Sequence, residues 1–94
     1  MTDTTSLIKI VSKDFDLAEN LSEEQLQEAM IKAFEYLVED DFPKLIQILY
    51  KADVDQYKLK ELLASNETLS SGAVIANAYL DRQKAKIETW KKYS

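Results

Sequence analysis

Cysteine and histidine are absent from this 94-residue chain, and glycine and proline occur once each. Without cysteine there is no disulfide framework and no thiolate site, and the compartment is not constrained by a need for disulfides. Without either residue, nucleophilic or proton-transfer catalysis would need Ser, Lys, Tyr or carboxylates in an arrangement that the sequence does not display. The lone glycine, Gly72, leaves no Gly-rich loop to cradle a phosphate. No apolar run approaches the ~20 residues needed to cross a bilayer, and no basic segment followed by a long apolar core opens the chain. These absences exclude most enzyme classes and membrane insertion. They point to a soluble, cytoplasmic protein that is not an enzyme and carries no cofactor and no metal.

Scarce glycine and proline also favour long helices with short joints, and the helix starts are marked. Leu21-Ser22-x3-Leu26, Val54-Asp55-x3-Leu59 and Leu69-Ser70-x3-Val74 repeat one order of residues. In each, a capping oxygen is flanked by two apolar residues at the spacing of a hydrophobic staple. Asp41-Phe42-Pro43 marks a fourth start, because proline at the head of a helix loses an amide that had no partner anyway.

From Ser22 to about Asp40, Leu26, Ala29, Met30, Ala33, Phe34, Leu37 and Val38 recur by threes and fours, the pattern of an amphipathic helix. Ile31 and Tyr36 widen its apolar arc beyond what one neighbour requires, so a second element should cover the flank at Ile31, Phe34 and Val38. Either the N-terminal residues of the same chain or another chain would serve. Those three residues are therefore the candidate partner-binding set.

After Pro43, Leu45, Ile46, Ile48, Leu49 and Ala52 make a short, nearly all-apolar helix that should sit centrally. A third helix places Leu59, Leu62 and Leu63 inward. Ser65 to Leu69 is the longest loop. The last helix runs from about Ser71 towards Lys92, with Ala76, Tyr79, Leu80, Ile87 and Trp90 on one face and Val74, Ala78 and Ala85 on a lesser strip. The fold expected is all-α: a compact four-helix domain, long-short-short-long, over residues 21–94. Residues 1–20 form an N-terminal arm in which Leu7, Ile8, Ile10, Val11, Phe15 and Leu17 fit neither period cleanly. A short helix around Ser6 to Lys13 and an extended arm both remain open, with Met1 to Thr5 loose and the short helix pair lying between the long helices.

The run Asp41-Phe42-Pro43-Lys44-Leu45, Ile48-Leu49-Tyr50, Asp53-Val54 and Lys58-Leu59, with Arg82-Gln83-x2-Lys86-Ile87 later, resembles a group of short, uncharacterised bacterial proteins. In that group an Asp-Phe run leads into Leu-Tyr, Asp-Val, a Lys-Leu helix and a closing basic helix with Arg-Gln. The resemblance covers roughly Ser22 to Ile87, departs at Pro43 and at the apolar stretch Leu7 to Leu17, and implies a small bacterial all-α protein. It carries over no catalytic or binding residue.

Charge is unevenly placed. The chain carries −5, made of −9 over residues 1–81 and +4 over residues 82–94. Cations at the end of a helix complement its dipole, as Glu23 and Glu24 complement the start of the first long helix. Two acid clusters invite a metal reading. An EF-hand loop beginning at Asp53 fails, since its sixth position is Lys58 and its twelfth Ala64. Glu39-Asp40-Asp41 falls between two helices, where capping and solvation explain it.

Two functions remain in view. The first is a small protein-interaction or oligomerisation module whose partner is another protein or a second copy. The alternative is a helix-turn-helix-like DNA-binding regulator built on Lys44 to Ala64, with Gln56, Tyr57 and Lys60 pointing outward. The acidic bulk of the chain and the few lysines of that helix oppose the alternative, because phosphate neutralisation dominates such binding. Trp90, Lys91, Lys92 and Tyr93 interleave aromatic and basic residues as single-strand binders do, yet Trp90 continues the apolar stripe and is expected in the core, with Tyr93 exposed.

Overall fold

Side-chain caps start the helices where the local sequence calls for them. The computed structural model describes residues 4–13, 15, 17 and 21–93. It contains α1 (Thr4–Val11), α2 (Glu23–Asp40), α3 (Phe42–Lys51), α4 (Gln56–Ser65) and α5 (Ser71–Tyr93), with no strand among the described residues. Ser22 accepts from the Gln25 amide at 3.1 Å while the Gln25 side chain accepts from the Ser22 amide at 2.9 Å, a reciprocal capping box. Asp41 caps α3 through the Lys44 amide, and Asp55 caps α4 through the amides of Tyr57 and Lys58 at 3.0 and 3.1 Å. The Ser70 hydroxyl accepts from the Ala73 amide at 3.1 Å at the head of α5. All four expected helix starts are present.

Two long antiparallel helices form the centre. Ser70 donates to Glu35 at 3.0 Å, Gln27 donates to Asn77 at 2.9 Å, and Lys84 pairs with Glu23 at 2.9 Å, so ascending α5 runs down α2. Gly72 makes this possible at the crossing: a Cβ built there would fall 2.8 Å from the Glu35 nitrogen and 2.9 Å from its Cα. The first turns of α5 are consequently buried all round, at Gly72, Ala73, Val74, Ile75 and Ala76.

The short helices sit outside this pair, not between its members as expected. α3 packs on α2, and α1 and α4 pack on α5. Direct backbone contact between α2 and α5 leaves no room for a helix between them. α1 is integral to the core, burying Leu7, Ile8 and Val11. It supplies the helical option for the arm. Thr4 and Thr5, expected to be loose, belong to α1; positions 1–3 and the side chains of Lys91 and Tyr93 lie outside those described.

The joint between α3 and α4 is a six-to-one turn. The Val54 amide donates to the Leu49 carbonyl at 3.2 Å and the Asp53 amide to the Tyr50 carbonyl at 3.1 Å, with Asp53 at φ 59°. That left-handed position usually holds glycine, and aspartate is among the residues that tolerate it. Arg82 of α5 grips the corner, its Nε donating to the Asp53 carbonyl and its guanidinium pairing with the carboxylate, both at 3.1 Å.

Four apolar expectations are corrected. Trp90 is 55% exposed although Ile87 is 3% exposed. The reason is length: Lys84 already meets Glu23 at the start of α2, so the nine residues from Ala85 to Tyr93, roughly 14 Å of helix, overhang α2. Leu69 is half exposed, because the Asn66 side chain closes the loop on both the amide and the carbonyl of Leu69 and its staple stays open. Ile46 and Leu62 also face water in part, leaving Leu59 as the buried residue of α4.

Candidate functional site

Phe34, at the centre of the candidate partner-binding set, is fully buried. Its ring meets Phe15 at 5.3 Å and Tyr79 at 5.3 Å, with Phe15 and Tyr79 at 6.0 Å, an edge-to-face triad. The flank left open by the wide arc of α2 is thus covered by the chain's own N-terminal residues. Ile31 and Val38 are partly buried against the same core. The three residues are brought together, but Phe34 is out of a partner's reach.

A different row faces water. Phe42, Ile46 and Tyr50 are 55%, 47% and 77% exposed and recur at every fourth position of α3. On a helix that spacing aligns side chains on one stripe. Leu45, Ile48, Leu49 and Ala52 occupy the adjoining stripe and are buried. The apolar surface of α3 is therefore wider than its packing in the bundle covers. Tyr57, 82% exposed at the start of α4, lies beyond Tyr50 around a shared surface hollow. The row was legible as excess: α3 is too apolar for a helix with one neighbour, and central placement was the wrong explanation for it.

The alternative reading has its own geometry. Gln56, Tyr57 and Lys60 do point outward. However, α3 docks on α2 and α4 docks on α5, whereas the two helices of a helix-turn-helix pack on each other. In the basic tail, Arg82 and Lys84 are committed to Asp53 and Glu23. Lys84 holds the Glu23 carboxyl below its ordinary range by hydrogen bond and charge. No helix is long and apolar enough to cross a membrane, and no group of three or more Asp or Glu converges as metal ligands do, among the described residues. No protein-family model, no curated protein and no solved structure matches this chain.

Proposed function

We propose that this chain is a small non-catalytic interaction module that self-associates through the outer face of α3. The observation that carries the proposal is the exposed row Phe42, Ile46 and Tyr50. The row is symmetric in chemistry about Ile46, aromatic-aliphatic-aromatic, so a two-fold axis there sets Phe42 of each copy against Tyr50 of the other and Ile46 against itself. Such self-complementarity is what an isologous dimer requires.

Size sets the strength. These three side chains expose roughly 300–400 Å², less than half of the ~800 Å² that each partner gives to a standard interface. The dimer is therefore weak and concentration-dependent. Sedimentation velocity from micromolar to millimolar protein tests it. The mean mass should rise with concentration, and Ile46→Glu should hold the protein monomeric without lowering its melting temperature. A wild-type protein that stays monomeric throughout, or an Ile46→Glu variant that associates equally, overturns the proposal.

A further inference from the structure

The end of α1, the end of α3 and the overhanging part of α5 surround an open cleft of about 380 Å³. Lys13, Lys51 and Lys86 line it, with Gln83 at its base and Ile10 and Trp90 on its wall. In a chain of net charge −5, three lysines line one cleft, and no acid among the described residues lines it. Gln83 is 2% exposed, and its side-chain nitrogen has no hydrogen-bond partner.

Part of this has an ordinary explanation. Lys13 and Lys51 stand at the ends of α1 and α3, where cations complement the helix dipole. Lys86 lies inside α5, and a buried amide donor left unpaired costs about 1–3 kcal/mol. Helix dipoles account for neither. Each polar side chain of the cleft offers a donor: three ammonium groups, the Gln83 amide and the Trp90 indole N–H. A ligand rich in acceptors would match the three lysines and satisfy the orphan amide together. Trp90, 55% exposed on the overhang, adds a flat apolar surface that the core does not use, and Ile10 and Trp90 also wall an adjoining hollow with Ile87.

We infer that this cleft binds a small organic anion. Its phosphate or carboxylate oxygens meet Lys13, Lys51 and Lys86 and, once the buried Gln83 amide turns outward, its side-chain nitrogen, and its flat or apolar body lies against Trp90 and Ile10. The inference is independent of self-association through α3.

Trp90 is the only tryptophan, so its fluorescence reports on the cleft directly. The full chain is titrated with phenyl phosphate, benzoate and neutral phenol. A saturable change with phenyl phosphate identifies a phosphate site and one with benzoate a carboxylate site, and either should be weakened at least tenfold by Gln83→Met. Gln83→Met keeps the side-chain volume and removes the donor; Lys51→Ala, an exposed change at the rim that leaves the core intact, should weaken binding severalfold and serves if Gln83→Met fails to fold. No saturable change with either anion up to about 10 mM, the millimolar limit of useful affinity, overturns the inference. So does phenol binding as tightly as the anions, or affinity unmoved by both Gln83→Met and Lys51→Ala.

Discussion

Replacing Gly72 by alanine should destabilise the protein even though alanine is the better helix former. Gly72 is the second residue of α5 and is buried against α2. Its missing Cβ would lie 2.8 Å from the Glu35 nitrogen and 2.9 Å from the Glu35 Cα, and also against Glu35 Cγ. Carbon atoms in contact prefer separations of about 3.5–4.0 Å. The Cγ can swing aside, but the backbone atoms cannot, so the two central helices must move apart where they cross. Overpacking of this kind costs about 1–3 kcal/mol. Helix propensity returns at most about 1 kcal/mol, and less in a first turn. A net loss of about 1–2 kcal/mol remains, equal to a fall in melting temperature of roughly 4–16 °C for a domain this size. Thermal melts followed by circular dichroism should show that fall for Gly72→Ala and almost none for Ser71→Ala at the exposed neighbouring position. Glu35→Ala tells side chain from backbone: in its background Gly72→Ala should remain destabilising, since the nitrogen and Cα are unchanged. An unchanged or raised melting temperature for Gly72→Ala refutes backbone contact at the crossing. Full rescue by Glu35→Ala would show that the obstacle was only the Cγ.

Asp55→Ala should cost ~1 kcal/mol in urea denaturation through the lost cap of α4, with the m-value unchanged and Asp55→Asn close to wild type. At Asp53, φ 59° predicts that Asp53→Gly is within about 0.5 kcal/mol of wild type, relief of the left-handed backbone offsetting the lost Arg82 contact, whereas Asp53→Ala loses about 1 kcal/mol or more. Equal melting temperatures for the glycine and alanine variants would contradict this. The folded-state acidity of Glu23 is raised by Lys84, so its small contribution is present above the ordinary glutamate value of about 4.3 and is lost as pH falls through the lowered value. An NMR titration of the Glu23 carboxyl should move up towards the ordinary value in Lys84→Met, and also with added salt, because the pair is exposed.

What was legible in the sequence was local. Ser22, Asp41, Asp55 and Ser70 cap their helices because a capping oxygen needs only the amides two or three residues ahead of it. The stripe Leu26, Met30, Phe34 and Leu37 is buried as its period requires. Exposure of Trp90, Ile46 and Leu69 was not legible, since each depends on where a neighbouring element ends or how a loop closes. Burial of Phe34 within the expected set Ile31, Phe34 and Val38 was not legible either, because the N-terminal residues, irregular in pattern, still deliver Phe15 to that flank. Two signals stood in plain view. A lone glycine inside a helical pattern asks for a close approach of backbones. Gln83 occupies a slot of the apolar stripe four residues after Tyr79 and four before Ile87, and a polar residue there asks for a partner.

The overhang of α5 divides the molecule by strength. Residues before Lys84 are clasped by α2, whereas Ala85 to Tyr93 reach past its start. Amide exchange in these last turns should therefore proceed through a partial opening well below the global unfolding free energy, with the rest of the bundle intact. The cleft with Gln83 at its base has Lys86 and Trp90 on the overhang and Lys13 and Lys51 at the ends of α1 and α3. An anion seated there would stitch the weakest part of the protein to two other helices, and occupancy would slow exchange most at the residues farthest from the central pair.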